Sequence, residues 1–145
     1  MSLINKKLFK FDLSGKSPAF FAKKKNVKIN KKLIRDLIYY SQKNNNTNCR
    51  ICLHKSKNEK IHNMIVLLNS RNPSNIHKHN GSDEIYHYIS GSFYVQLYKS
   101  NKLYKKILIS NKQNSIFRVN KGTMHNIKPL KNIIVFHEIK LNPYN

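Results

Sequence analysis

From residue 50 onward, hydrophobic and polar positions follow the pattern of β-strands. Short apolar or alternating stretches are separated by turns rich in Asn, Gly and Ser, which commonly bound strands. These stretches predict strands at residues 50–53, 61–68, 84–90, 92–98, 103–109, 116–119, 125–128 and 133–139. Residues 64–68 are all apolar, as in a strand that is buried on both faces. Strands of this length and spacing predict a β-barrel or a double-sheet jelly roll.

A helical period occurs once, before these strands. The apolar positions that share one helix face are Leu33, Ile34, Leu37 and Ile38. Asn30 is suited to cap the start of this helix, and the asparagines at 44–46 tolerate the left-handed conformation that ends helices. We expect the helix to pack on the outside of the barrel, after a short strand at residues 27–29.

Residues 1–26 have the weakest pattern. Residues 8–13 alternate and predict an edge strand, which residues 17–21 interrupt, while the lysines at 23–25 are typical of a solvated run. We therefore expect residues 1–26 to be an N-terminal extension, either an edge strand or partly disordered. Residues 27–145 are the predicted barrel domain with its leading helix.

Candidate metal ligands are concentrated between the predicted strands. His77, His79, Glu84 and Gly91 form the pattern H-x-H-x4-E-x6-G, and His125 follows in G-x-x-H. On a strand, residues i and i+2 share a face about 6.6 Å apart. Two imidazoles at this spacing can converge on one ion at about 2.1 Å from each nitrogen. The turn-forming residues that precede Glu84 allow the chain to double back and bring the carboxylate to the same point.

These motifs resemble the two sequence motifs of the cupin superfamily, small β-barrels with a metal site of three histidines and one glutamate. The resemblance is narrower towards the WbuC-type cupin metalloproteins, which are found with genes for O-antigen and other surface polysaccharides. Arg71 stands where the first motif usually opens with glycine, and Asn120 stands where the second has proline. Besides the metal motif, the matching residues within 27–145 are 50–54, 62–64, 122 with 125, 136–138 and 143–144.

The resemblance implies an all-β cupin fold, a double-stranded β-helix or jelly-roll barrel with one helix packed outside. It also implies one divalent metal ion bound by His77, His79, Glu84 and His125. Burying three imidazoles and a carboxylate without an ion is costly, although a barrel that has lost its metal and keeps a polar cluster is the alternative. Fe, Mn, Ni and Zn all accept this ligand set, so the identity of the ion stays open.

Six further residues are candidates for the cavity. Glu138 is a candidate general base or a group that orients a metal ligand, with a structural ion pair as the alternative. Arg50 is a candidate for holding a phosphate or carboxylate, or a surface ion pair. Alternation from Glu84 points Tyr86 inward, to donate a hydrogen bond to a metal-bound ligand or to pack, and His87 outward. The predicted catalytic residues are Glu138, His54 and Tyr86, and the predicted ligand-binding residues are Arg50, His62 and Tyr144.

The net charge of +22 first indicates a polyanion partner. The excess comes from 24 lysines and only 4 arginines, spread along the whole chain together with many Asn and Ile residues, which is typical of A/T-rich codon usage. Specific base recognition favours arginine, so we expect no specific nucleic-acid partner. A lone C-x-x-C at Cys49 and Cys52 predicts ordinary reduced thiols. Without a long apolar run or a signal peptide, we expect a cytoplasmic protein that does not insert into a membrane.

The sequence therefore predicts a metal-binding cupin that acts on a small molecule, a sugar or nucleotide-sugar in surface-polysaccharide biosynthesis. Metal-assisted isomerisation, epimerisation or elimination would each fit the residues, so an isomerase, epimerase or lyase is the expected kind of enzyme. The alternatives are an Fe(II)-dependent cupin dioxygenase and a non-enzymatic module that senses a sugar or a metal. A homodimer is also plausible, because barrel edge strands can pair.

Overall fold

Ten strands and one helix form over residues 4–142, the part of the chain that the computed structural model describes. Tyr144 lies outside this part, so its predicted role in ligand binding stays a prediction. The elements in chain order are β1 Phe9–Asp12, β2 Ala19–Ala22, α1 Lys31–Lys43, β3 Cys49–Cys52, β4 Ile61–Asn69, β5 Glu84–Ser90, β6 Phe93–Lys99, β7 Lys102–Ile109, β8 Ile116–Val119, β9 Met124–Pro129 and β10 Ile133–Leu141.

The strands form two sheets that enclose one apolar core. Seven strands lie in the order β1-β2-β3-β4-β10-β5-β8, and three lie in the order β7-β6-β9. The buried residues between the two sheets come from both: Leu68, Tyr86, Val119, Ile134 and Phe136 from the larger sheet, and Phe93, Val95, Leu97, Ile109 and Ile127 from the smaller. The predicted all-β class and double-sheet barrel are confirmed, and the eight strands predicted after residue 50 all form within two residues of their expected bounds.

Two sequence predictions near the N-terminus are wrong. Residues 17–21 were expected to interrupt the strand pattern, but Ala19–Ala22 form β2, which pairs in parallel with β3. All four residues of β2 are buried, so this strand has no polar face and shows no alternation that could reveal it. Residues 27–29 form no strand, although Val27 and Ile29 pack their side chains on the core. β1 is the edge strand of the larger sheet, as residues 8–13 predicted.

The helix α1 packs on the outer face of the larger sheet, as expected. Its buried Leu37 belongs to a cluster with Ile51, Leu67 and Val135, which alternate with the inward-facing residues of the same strands. The side chain of Asn30 caps the helix by accepting a hydrogen bond from the Leu33 N–H at 2.9 Å. After Lys43 the chain leaves the helix through asparagines 45 and 46, which adopt φ values of 56° and 55°.

Gly91 makes the turn by which the chain passes from the larger sheet to the smaller one. Its φ of +73° lies in the left-handed region that favours glycine. A Cβ at this position would lie 2.6 Å from the Ile133 carbonyl oxygen, so no side chain fits there. The glycine in the motif is therefore required by the close approach of β10, and it fixes the end of β5, the strand that carries Glu84 and Tyr86.

Strand register on the larger sheet places candidate side chains in rows. Lys140 of β10 lies between His62 of β4 and Glu84 of β5. In the next row, Glu138 lies between Met64 and Tyr86. Because alternate residues of a strand share a face, these two rows point to the same side of the sheet.

Candidate metal centre

His77 and His125 are held opposite each other by a short antiparallel bridge. The His77 N–H donates to the His125 carbonyl at 2.9 Å, and the His125 N–H donates to the His77 carbonyl at 2.8 Å. His79 follows at i+2, and its carbonyl accepts from the Gly122 N–H at 2.6 Å. The two histidine motifs are therefore joined through their backbones, with His77 on an isolated bridge and His79 two residues beyond it, outside any strand.

The four predicted ligands meet at one point. One candidate ligand atom from each of His77, His79, Glu84 and His125 lies within 4.8 Å of the others. Glu84 and His125 are almost fully buried, and the other two are partly exposed. Such a group can hold a metal ion, because each atom needs to move little to reach a common centre at about 2.1 Å.

Backbone carbonyls select which imidazole nitrogen faces the centre. The Nδ1 of His77 lies 2.8 Å from the Asn75 carbonyl, and the Nδ1 of His125 lies 2.7 Å from the Thr123 carbonyl. A carbonyl only accepts, so each Nδ1 carries a proton and Nε2 is the nitrogen left for a bond to a ligand. In the metal-free chain the Nε2 of His125 can carry a second proton towards Glu84: burial would lower the pKa of His125, but the hydrogen bond with this carboxylate raises it. Histidines that bind metals are oriented in this way by a hydrogen bond from the second nitrogen.

The two oxygens of the buried Glu84 carboxylate contact different partners. Its Oε2 lies 2.7 Å from both the Tyr86 hydroxyl and the His125 Nε2. Its Oε1 lies 3.2 Å from the Lys140 Nζ and 2.9 Å from the His79 Nε2. Burial alone would raise the pKa of Glu84, but the hydrogen bond with His125, the charge of Lys140 and the bond from Tyr86 lower it to about 2.

The His79 Nε2 shows that the four residues fit a metal ion. Although it lies 2.9 Å from Oε1 of Glu84, the two atoms are not aligned as a hydrogen bond. Within the described residues this buried nitrogen has no other hydrogen-bond partner. A nitrogen and a carboxylate oxygen that are close but point past each other are typical of two ligands of one ion. Burial lowers the pKa of His79, more than the nearby Glu84 raises it, which favours the neutral ring that a metal requires.

Tyr86 supports the cluster from beneath and does not line the cavity beside it. Its ring is 2% exposed and packs edge-on against Phe136. Its hydroxyl is the donor to Glu84, and it lies 3.1 Å from the His125 Nε2. Burial raises the pKa of Tyr86 well above its usual value, so the hydroxyl stays protonated. The geometry thus gives Tyr86 the position of a residue that orients two ligands, and the alternation that points it inward and His87 outward is correct.

A cavity of about 570 Å³ opens next to the cluster. It lies within the volume range of about 300–1,000 Å³ that is typical of small-molecule sites. Four of the predicted residues line it, namely Arg50, His54, His62 and Glu138, together with the metal-ligand candidate His79. The remaining wall is formed by Lys16, Phe21, Cys52, Lys57, Met64, Val66 and Lys140.

His54 and His62 form a stacked pair in the cavity wall. Their rings lie 4.5 Å apart with an angle of 2° between the planes. The His54 Nδ1 lies 3.1 Å from the Asn63 backbone nitrogen and 3.2 Å from the Asn63 carbonyl oxygen, so the Asn63 backbone occupies this nitrogen in either tautomer. Burial and the neighbouring His62 lower the pKa of His54. The Nε2 of His54 is therefore the nitrogen left for a bound molecule, because its Nδ1 is already held by the backbone.

Glu138 and Lys140 form an ion pair on the cavity side of β10, with 3.0 Å between Oε1 and Nζ. Lys140 also reaches Glu84, so it connects the predicted base to the metal cluster. Burial would lower the pKa of Lys140, but the two carboxylates raise it, and the ammonium is retained. Lys140 was not among the site residues predicted from the sequence. The signal was present, since Lys140 follows Glu138 by two residues and must share its face.

Cys49 and Cys52 are free and buried, and they belong to different apolar clusters on opposite faces of β3. Within residues 4–142, no helix has the length and apolar character needed to cross a bilayer.

Comparison with known proteins shows a likeness in structure. No protein-family model matches the chain, and no curated protein matches it in sequence. A cupin superfamily protein from Desulfitobacterium hafniense superimposes with a TM-score of 0.53 and 16% identity over 66% of this chain and 78% of that one. An RmlC-like cupin family protein with a double-stranded β-helix fold, from Methanocaldococcus jannaschii, gives 0.51 and 15% over 66% and 83%. KdgF from a Halomonas species gives 0.50 and 18% over 64% and 78%.

Identities this low show the fold and leave the WbuC-type resemblance a prediction. The order of the strands, the two packed sheets and these structural neighbours agree with one another. The chain has the cupin fold, a double-stranded β-helix.

Proposed function

We propose that this protein binds one divalent metal ion through His77, His79, Glu84 and His125 and acts on a sugar or nucleotide-sugar in the adjacent cavity. The observation that carries the proposal is the convergence of these four ligand atoms within 4.8 Å beside a cavity of about 570 Å³. The resemblance described above favours a role in the biosynthesis of a surface polysaccharide.

The metal would supply Lewis-acid polarisation of substrate oxygens, and three imidazoles with one carboxylate suit Fe, Mn, Ni or Zn. The protein's own residues provide the proton transfers that isomerisation, epimerisation or elimination requires. Glu138 faces the cavity as a carboxylate beside the Lys140 ammonium, so it can accept a proton from a bound sugar. The candidate proton donor is the Nε2 of His54, which lines the same cavity.

The metal site is tested by metal analysis of protein purified without chelators. We expect about one ion per chain in the wild type, as in other sites of this ligand type. His77→Ala should lose the ion during gel filtration. The matched control is His87→Ala, which removes an exposed histidine on β5 and should retain it. Equal metal contents in the two variants would contradict the proposed ligand set.

The catalytic part is tested with a broad panel of nucleotide-sugars and metal-loaded protein. We expect one of them to be converted, and Glu138→Gln to abolish conversion while the metal content stays unchanged. Oxygen consumption with iron alone would favour a dioxygenase instead, and binding without any product would favour a sensing module. If the protein neither binds nor converts any nucleotide-sugar in the panel, the proposal is refuted.

A further inference from the structure

We propose that the end of the cavity remote from the metal cluster is an anion subsite, formed by Arg50 and Lys16, and that the substrate carries a phosphate or carboxylate there. The inference rests on the proposed function in one respect, namely that the cavity beside the four ligands is the substrate site. It adds the chemical class of the substrate, which the metal cluster alone does not indicate.

Charge pairing around the cavity leaves Arg50 and Lys16 without a carboxylate partner. Lys57 is neutralised by Asp12 at 2.9 Å, and Lys140 is neutralised by Glu84 and Glu138. Within residues 4–142, neither Arg50 nor Lys16 lies within ion-pair distance of a carboxylate. Two positive charges therefore face the cavity uncompensated, next to a wall that is otherwise neutral or internally paired.

Arg50 is positioned for this role by its surroundings. It is partly buried on β3, directly before the buried Ile51 and Cys52. Its Nη1 donates to the Ser17 Oγ at 2.9 Å, which holds the side chain against the turn before β2. A guanidinium has five N–H donors in a planar fork, and that fork matches the paired oxygens of a phosphate or carboxylate.

The two ends of the cavity are separated by three strand spacings of the larger sheet. Arg50 lies on β3 and Glu84 on β5, with β4 and β10 between them. Three strand spacings of about 4.8 Å give a lateral distance of about 14 Å between these strands. A substrate that reaches from the metal to Arg50 is therefore longer than a single charged group. Between the two ends lie the stacked His54–His62 pair and Glu138, which suit an uncharged, hydroxylated portion.

The test is isothermal titration calorimetry of the full chain with α-D-glucose 1-phosphate, D-glucuronate and D-glucose. The titrations are done near 0.15 M NaCl, where the screening length of about 8 Å suppresses attraction by the net charge. We expect at least one anionic sugar to bind more tightly than glucose. Comparison of the two anions identifies whether the group is a phosphate or a carboxylate.

Arg50→Gln should weaken binding of the preferred anion by about tenfold or more, because a charge-assisted hydrogen bond is lost. Arg50→Lys should lose less, because it keeps the charge without the fork. Arg35→Gln is the matched control, since it removes the same charge from an exposed position on α1 and should leave affinity unchanged. If Arg50→Gln does not fold, Lys16→Gln, which alters an exposed residue, supplies the test and should also weaken binding.

Equal losses in the Arg35 and Arg50 variants, or no preference for an anion over glucose, would overturn the inference. The titrations are run on metal-loaded and on metal-stripped protein. If binding depends on Arg50 but metal analysis of protein purified without chelators finds no ion, the subsite is supported and the proposed metal centre is refuted. If the chain holds the metal but anion binding does not depend on Arg50, the metal centre is supported and the anion subsite is refuted.

Discussion

Replacing Glu84 by glutamine tests the electrostatics of the cluster most directly. The side chain is 2% exposed, and its two oxygens contact His79, His125, Tyr86 and Lys140 at 2.7–3.2 Å. Glutamine has nearly the same volume, so Glu84→Gln removes the charge without opening a cavity. Metal-free protein is used, so that the result reports on the side chains alone.

The expected size of the effect follows from the pKa of Glu84. A fall from 4.5 to about 2 on folding corresponds to about 3 kcal/mol of stabilisation at neutral pH. Because the folded pKa is below the unfolded one, this stabilisation is fully present above about pH 5 and is lost as the pH falls towards 2. Glutamine does not titrate, so the free-energy difference between the two proteins must itself depend on pH.

The assay is urea-induced unfolding of both metal-stripped proteins between pH 6 and pH 3. The difference in unfolding free energy should narrow by about 2 kcal/mol over this range, as linkage with these pKa values requires. Glu59→Gln controls for the loss of one negative charge, because Glu59 is exposed in the loop before β4. If the difference in unfolding free energy between the wild type and Glu84→Gln stays constant from pH 6 to pH 3, the charge network described for this carboxylate is refuted.

Three further predictions concern the turn, the cavity and the thiols. Gly91 and Gly122 both have a positive φ, so Gly122→Ala should lower the free energy of unfolding in urea by about 1–2 kcal/mol. Gly91→Ala should lower it more, because a Cβ at residue 91 would also lie 2.6 Å from the Ile133 carbonyl oxygen. Equal losses in the two variants would contradict this. His54→Asn keeps an acceptor for the Asn63 N–H. Because the folded pKa of His54 is lowered, wild-type stability relative to this variant should fall as the pH drops below about 6.5, and a pH-independent difference would contradict it. Burial raises the pKa of Cys49 to about 12 and of Cys52 to about 11, so neither thiol should react with Ellman's reagent until urea unfolds the chain; rapid reaction in native protein would contradict their burial.

The strands and two of the four ligands could be predicted from local spacing, and the resemblance to the cupin motifs supplied the rest of the ligand set. Each strand after residue 50 has turn residues at its ends, and β4 carries the continuous apolar run of a doubly buried strand. Spacing selects His77 and His79, which are two residues apart, and a steric requirement explains Gly91. His125 lies far along the chain, and only the resemblance of its G-x-x-H motif assigned it to the same site.

What the sequence could not give is the pairing of distant elements. β2 pairs in parallel with β3, and α1 lies between them in the chain, so the three make a crossover that no periodicity encodes. The cavity has the same origin, because Lys16 precedes β2 and Lys57 lies in the loop before β4. Their charges meet Arg50 only after the sheet has formed, and a sequence with 28 basic residues offers no means of selecting these two.

The positive charge of this chain is spread evenly along the sequence, but in the cavity it produces a local excess of positive charge. At the cluster, the two carboxylates of Glu84 and Glu138 and the ammonium of Lys140 sum to one net negative charge. A bound divalent ion would change this sum to one net positive charge. At the other end, Arg50 and Lys16 add two more. Acids are scarce enough that each one near the cavity already has a basic partner, so further neutralisation has to come from the substrate. A neutral sugar would leave these charges facing one another across a partly enclosed site, whereas an anionic one would join the two ends.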